Sequence, residues 1–338
     1  SCPVDAIRLV FGTARRGVDL PRIIENFETN VPGIFVVGEL GGMGLIRNAF
    51  EQGIQCVSGL DRKTREIPET SFDLAIVGCG PAGLAAALTA KELGFRTVVL
   101  EREDVGGTVR HYPRKKLVMT EPVKVPGYGM IGAREIVKEE LIGIWEDVVE
   151  KTGLEIQTGV TVTGIEGLED GGFRVATGDD EYTAANVILA IGRRGVPRKL
   201  GIPGEGRSNV AYALREPEAY AGDRVTVVGG GDSAVEAALS LAAQPGTEVR
   251  VAYRGEAFAR AKPKNRNRIG KALTEGSLSV LWSTRVLENR GSEILVQDLS
   301  GSQQRLPNDH LFVFAGGELP TPFLQSCGIS VDTKFGEP

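Results

Sequence analysis

Gly78, Gly80 and Gly83, followed by an acid at Glu101, are the first residues in this chain whose types and spacing point to chemistry. Gly78 permits a tight turn, Gly80 lets backbone approach a pyrophosphate, and Gly83 lets a helix lie close on its strand. Pro81 suits a first helical turn, where its missing N–H is not needed, and Ala82 follows it. The unpaired N–H groups of that helix start favour a phosphate, and Glu101, at about the usual twenty-residue spacing, can accept from ribose hydroxyls. The same spelling recurs as Gly229-Gly230-Gly231-Asp232-Ser233-Ala234, a GxGxxA unit. The strand after it ends in Tyr253-Arg254, where an NAD-specific site places an acid. Arg254 can pair with a 2′-phosphate and Arg260 is a second cation for it, so this site is expected to take NADPH through Gly229, Gly231, Asp232, Ser233, Ala234, Arg254 and Arg260. Most of the remaining basic run up to Lys271 reads as a solvated face.

These residues need strands and helices to hold them. The apolar run Leu74 to Val77, an alanine- and leucine-rich helical stretch closed by Gly94, and a second apolar run ending at Glu101 make a βαβ unit. Upstream, Gly33 to Val37 reads as a short buried strand, and Gly38, Glu39, Gly41, Gly42 and Gly44 lead into a helical pattern from Leu45 to Gln52. A glycine turn feeding a helix start again suits a phosphate or a flavin carbonyl. Downstream, Gly106-Gly107-Thr108 permits close backbone approach, and His111 and Tyr112 are candidates to line a flavin ring. Ala133 to Lys151 is helical, with Ile136, Val137, Leu141, Ile144 and Trp145 on one stripe, and strands follow as far as Ala190-Ile191-Gly192. A strand and helix carry the second glycine unit, and strands near 278–299 and 304–315 complete its domain. Residues 59–71 are charged, contain Pro68, lack apolar periodicity and read as a linker.

Composition narrows the function classes. With 338 residues, 41% of them hydrophobic, the chain can bury two or three cores. A formal net charge of −5 argues against a general nucleic-acid binder. There is no long apolar run to span a membrane, and the first residues carry no basic and apolar leader. Cys2, Cys56, Cys79 and Cys327 are far apart and form no CxxC, a usage that fits a reducing cytoplasm. No metal site is expected. Cys2-Pro3 reads like the closing part of a bacterial ferredoxin cluster motif, though alone it cannot hold a cluster.

Thr29, Pro32, Gly33, Ile34, Phe35 and Gly38 resemble the second flavin-binding signature of the thioredoxin-reductase-like flavoproteins, with Glu39 in place of that family's aspartate. With both glycine units and the crossovers at Ala190 to Gly192 and Phe312 to Gly317, nearly the whole chain is similar to these two-dinucleotide-binding flavoproteins of the pyridine nucleotide-disulfide oxidoreductase superfamily. Within it the chain resembles thioredoxin reductases, bacillithiol-disulfide-reductase-like proteins and the ferredoxin–NADP reductases of the thioredoxin-reductase type. The resemblance implies an α/β fold with two Rossmann-like dinucleotide-binding domains of three-layer ββα architecture, and a homodimer. FAD would be held by Gly78, Gly80, Pro81, Ala82, Gly83, Glu101, Gly106, Gly107, Thr108, Ala190 and Gly192, with Gly38, Glu39, Leu45 and Ile46 from the upstream segment. That segment precedes the first glycine unit here, whereas in the family it closes the chain. The expected layout is therefore a circularly permuted flavin domain: a closing segment at 1–58 with a ferredoxin-like remnant, a linker at 59–71, the flavin domain at 72–195, the NAD(P)H domain at 196–314, and a return at 315–338.

The dithiol of thioredoxin reductases is missing from AYALREPEAYAGD, and Ala82 stands where bacillithiol-type enzymes place a cysteine. The expected chemistry is hydride transfer from NADPH to FAD, with electrons passing on to an iron–sulfur domain or ferredoxin. Two alternatives stay open: a low-molecular-weight disulfide reductase using Cys79, and a nonenzymatic nucleotide-sensing or assembly module.

Overall fold

A computed structural model describes residues 17–42, 44–60, 72–112, 114–119, 121–131, 135–193 and 195–336. Cys2-Pro3 and most of the 59–71 stretch lie outside the described residues. The chain divides into two compact units, one running up to Gly195 and resuming at Leu319, the other spanning Val196–Glu318.

In the first unit, strand β1 (Val18–Pro21) is followed by β2 (Ile34–Val36), helix α1 (Ile46–Ser58), β3 (Phe72–Val77), α2 (Pro81–Glu92) and β4 (Thr97–Glu101). The main sheet runs Gly164–Gly167, Phe173–Ala176, Glu181–Leu189, β3, β4, Gln157–Thr158. The long Glu181–Leu189 strand pairs parallel with β3 on one edge and has two partners in succession on the other: its first half pairs antiparallel with Phe173–Ala176, and its second half pairs parallel with β2, Val187 opposite Ile34. The upstream segment is thus a strand of the same sheet. β1 pairs antiparallel with Val331–Lys334, a join reinforced by the Arg22–Asp332 ion pair.

Because strand side chains alternate, a strand covered on both faces reads as a continuous apolar run. Leu74 and Ile76 of β3 face the helices, with Phe50, Val57, Leu84, Leu88, Leu141 and Trp145. Ala75 and Val77 face the opposite core, with Leu100, Leu189, Leu324 and Ile329. Helix α2 has no polar face, and every residue from Ala82 to Ala90 is buried. α1 covers the side that the sheet does not, and its Gly53 permits the approach: a Cβ there would lie 2.2 Å from the Ala82 carbonyl oxygen. α1 extends to Ser58, beyond the Leu45–Gln52 window read from the sequence, because Cys56 and Val57 continue its buried face. Helix α3 (Lys138–Thr152) starts later than expected. Ile136 and Val137 instead form a two-residue strand against Leu117–Met119, and Glu139 and Glu140 occupy the first helical turn, where the dipole favours acids.

The second unit is a parallel sheet in the order Val210–Ala211, His310–Val313, Arg224–Val228, Glu248–Tyr253, Ser279–Trp282. Helices α4 (Asp232–Ala242) and α5 (Pro263–Thr274) pack with one of its cores, through Val235, Ala238, Leu241 and Ile269. An antiparallel sheet of Arg285–Asn289, Glu293–Gln297 and Gln303–Pro307 packs through Val286, Ile294 and Val296 with a second core. This is the ββα layering expected from the sequence.

Candidate functional site

The start of α2 is where the first unit gathers its glycines. Gly83 has no room for a side chain, since a Cβ would stand 1.8 Å from the Gly78 carbonyl oxygen; Gly78, at φ +96°, is closed in the same way by the Ala190 carbonyl oxygen at 2.7 Å. Gly80, the residue before the helix, is different: nothing lies within 4 Å of its Cβ position. The loop is therefore sealed on its inner side and open ahead of the helix N-terminus, the arrangement that presents unpaired N–H groups to an anion. Besides Glu101, three other segments reach this loop. The Gly106 N–H donates to the Cys79 carbonyl oxygen at 2.9 Å, and a Cβ on Gly107 would be 3.3 Å from the Gly80 Cα. Ala190 is buried, with Gly192 just beyond it at φ +64°. From upstream, a Cβ on Gly38 would stand 3.0 Å from the Ala82 Cβ, while Glu39 and Leu45 remain exposed and Ile46 is half-buried. Thr108 is half-buried in the 3₁₀ turn Gly107–His111.

Glu101 is 7% exposed, and its two carboxylate oxygens accept from the Cys79 N–H at 2.5 Å and the Glu103 N–H at 2.8 Å. It ties the end of β4 to the glycine turn. His111 does not point to open space: its Nε2 meets the Glu103 carboxylate at 2.5 Å. Burial raises the Glu103 carboxyl, but His111 and Arg102 beside it prevail and hold it below its ordinary value. Tyr112 lies under the Lys116 ammonium, which is 4.0 Å from its ring centre.

Cys79 is fully buried, and both burial and the Glu101 carboxylate push its thiol well above the ordinary value. Reactive cysteines sit in accessible, electropositive places where the thiolate is favoured, and Cys79 has the opposite surroundings. Burial, followed by Glu28, pushes Cys56 up to about 12, and burial also raises Cys327.

The sequence did not disclose the residues that seat this loop. Gln52 of α1 accepts the Gly38 N–H at 2.8 Å, and the Ile142 and Trp145 side chains of α3 fill the space against Gly106. Gly53 carried a signal, because glycine inside a helical pattern often marks close packing.

In the second unit Gly229, at φ +141°, is closed by the Phe314 carbonyl oxygen and Ala234, while Gly231, before α4, faces open space. Asp232 accepts from the Lys262 N–H and the Asn265 amide, both at 2.8 Å; burial raises its carboxyl, but these donors hold it below its ordinary value. Asn265, which bridges Asp232 to Glu236, is a further residue the sequence did not single out. Ser233, Arg254 and Arg260 are exposed, and neither arginine has an ion-pair partner among the described residues.

A family profile described as pyridine nucleotide-disulphide oxidoreductase matches residues 75–338. The chain belongs to that family. A ferredoxin–NADP reductase of Ignicoccus hospitalis is 34% identical over 267 residues, 78% of this chain and 83% of that one. Among solved structures, thioredoxin reductase from T. acidophilum is similar with a TM-score of 0.56 at 27% identity, covering 78% of this chain and 82% of that one. Bacillithiol disulfide reductase Bdr from Staphylococcus aureus shares the fold, with a TM-score of 0.63 at 21% identity over 79% of this chain and 85% of that one. This member of the pyridine nucleotide-disulphide oxidoreductase family is accordingly an NAD(P)H-dependent flavin oxidoreductase with the two-domain fold of thioredoxin reductases. Among the described residues of the oxidoreductase, no helix is long and apolar enough to cross a membrane, and no cluster of His, Cys, Asp and Glu is arranged to hold a metal.

Proposed function

We propose that this oxidoreductase binds FAD in its first unit and NADPH in its second, and passes electrons to a ferredoxin-type iron–sulfur acceptor in a reducing, cytoplasmic setting. The observation that carries the reading is the convergence of five chain segments on the open N-terminus of α2. A dinucleotide fits there because Gly78 and Gly83 are sealed while Gly80 faces space, and the same pairing of a sealed Gly229 with an open Gly231 recurs at α4. In the first unit, the N–H groups of Ala82 and Gly83, which follow Gly80 and Pro81, would face the pyrophosphate; Pro81 has no N–H to offer. Glu101 would accept from ribose hydroxyls while holding the glycine turn by the Cys79 N–H. Gly106, Gly107, Thr108, Ala190 and Gly192 would line the body of the flavin, and Gly38, Glu39, Leu45 and Ile46 would close it from the upstream side.

In the second unit, Gly229, Gly231, Asp232, Ser233 and Ala234 would cradle the nicotinamide dinucleotide, with Arg254 and Arg260 on its 2′-phosphate. When bound, the two cofactors supply passage of an electron pair from nicotinamide to flavin. What this chain contributes is binding, orientation and exclusion of water by the apolar cores behind each glycine loop. A flavin domain permuted in sequence accounts for β2 joining the sheet ahead of β3 in chain order, and domain ends that lie close together make such an order inexpensive. The iron–sulfur acceptor is supported by the relative named ferredoxin–NADP reductase, the lack of a CxxC, and the burial of Cys56, Cys79 and Cys327.

The test is anaerobic mixing of the FAD-loaded full chain with NADPH and a bacterial ferredoxin, followed by visible absorption. Bleaching of the flavin and then of the ferredoxin is expected. Bleaching that never reaches ferredoxin would remove the acceptor, and no bleaching would remove the whole reading.

A further inference from the structure

The two glycine loops can be superposed residue by residue through strand register. In the first unit the last β3–β4 pair is Val77 with Leu100, and the Gly78 N–H then donates to the Leu100 carbonyl oxygen at 2.8 Å. In the second unit the last pair is Val228 with Ala252, and the Gly229 N–H donates to the Ala252 carbonyl oxygen at 3.2 Å. The residue in the place of Glu101 is therefore Tyr253, one position before Arg254, and the residue in the place of Cys79 is Gly230.

The two pairs make the same contact with different chemistry. Glu101 takes the Cys79 N–H on its carboxylate, whereas the Tyr253 ring lies against Gly230, where a Cβ would come within 2.3 Å of ring carbons. Gly230 is glycine so that the ring can seat. The ring also stacks on buried Phe258 at 5.6 Å between centroids and 8° between planes, and Phe258 in turn packs on Trp282 at 4.8 Å. The position is filled and braced by an uncharged aromatic group.

We infer that Tyr253 is a specificity-determining residue of the second unit, seating a neutral ring where a carboxylate would read the ribose diol and so selecting nucleotides that carry a 2′-phosphate. A carboxylate here would accept from the 2′-hydroxyl and repel a phosphate at that position. The ring does neither, and Arg254, next along and exposed, is left to pair with the phosphate dianion. The inference rests on the reading of this unit as the NADPH site and adds a second determinant, independent of the arginines.

The experiment measures binding of 2′,5′-ADP and of 5′-AMP to the full chain by titration calorimetry, for wild type and for Tyr253→Phe, Tyr253→Gln and Tyr253→Glu. Wild type, Y253F and Y253Q are expected to prefer 2′,5′-ADP by about tenfold or more, the scale of a hydrogen-bonded charge pair. Y253E is expected to lose that preference or reverse it. Tyr253 is half-buried at the strand end, so a polar side chain can turn outward; if Y253E nonetheless fails to give a folded circular-dichroism spectrum, Tyr253→Asp carries the same charge on a shorter stem. A preference for 2′,5′-ADP undiminished in the folded acidic variant overturns the inference while leaving the nucleotide site in place, as does equal binding of both ligands by wild type. Binding of neither ligand by wild type overturns the nucleotide site itself.

Discussion

Gly53→Ala is the substitution that most directly tests whether the upstream segment belongs to the flavin unit. Its Cβ would stand 2.2 Å from the Ala82 carbonyl oxygen and 3.0 Å from the Ala86 nitrogen, both backbone atoms of α2 that no side-chain rotation can clear. The helices must part by roughly 1 Å, and a gap of that order forfeits a quarter to a half of the contact energy along the seam. Overpacking of this kind costs about 1–3 kcal/mol, offset by up to ~1 kcal/mol because alanine is the better helix former. A net loss of about 1–2 kcal/mol lowers the melting midpoint of a unit this size by roughly 2–8 °C. Because Gly38 abuts Ala82 across the same seam, the displacement should also weaken FAD binding, by about tenfold. The assay is thermal melting by circular dichroism together with FAD titration followed by flavin fluorescence. Gly143→Ala is the control: Gly143 is exposed in α3 with nothing within 4 Å of its Cβ position, so the same change there should stabilise by about 0.5–1 kcal/mol. If G53A raises the midpoint as G143A does and binds FAD like wild type, α1 does not rest on α2 in the way described.

Two further outcomes follow from buried and paired groups. Cys79→Ser should leave NADPH-driven flavin reduction within about twofold of wild type, and native protein should resist alkylation at Cys79 by iodoacetamide, because the buried thiol is held in its neutral form; rapid labelling, or loss of reduction in the variant, would restore Cys79 as a nucleophile. Hydrogen bonds from the Arg224 side chain and N–H hold the Asp309 carboxyl at about 2, below its ordinary value, so this pair stabilises the second unit above the unfolded pKa and that contribution is lost as pH falls through about 2. The melting midpoint of Asp309→Asn should accordingly lie below wild type at neutral pH, by a small margin because the pair is partly exposed, and the two should converge in strong acid.

Much of the first site was legible because its determinants are local. β3, α2 and β4 follow one another with short turns, and of the three glycines that the motif requires backbone closes Gly78 and Gly83, while Gly80 is left open. The second site was half legible. Its glycine unit was plain, but the sequence drew attention to Arg254 as the charged residue, whereas register puts Tyr253 in the acid's place. The supports were only partly legible: Trp145 lay on the apolar stripe of its helix, but its seat against Gly106, and the bond from the Gly38 N–H to Gln52, are tertiary contacts that spacing does not reveal. Ile136 and Val137 continued a helical stripe in sequence, yet pairing with Leu117–Met119 made them a strand, a case of tertiary context overriding local pattern.

The double partnership of the Glu181–Leu189 strand also bears on how the polypeptide reaches its fold. Ile34, Phe35 and Val36 leave the ribosome well before their strand partner at Val187 to Leu189 is made. At about 5–20 residues per second that delay is on the order of ten seconds, during which a fully apolar strand has an unpaired edge. α1 can find α2 soon after the latter emerges, since few residues separate them. The α1–α2 seam would then tether the early strand during translation, and chains weakened at Gly53 should be more prone to aggregate as they are synthesised than their equilibrium stability alone suggests.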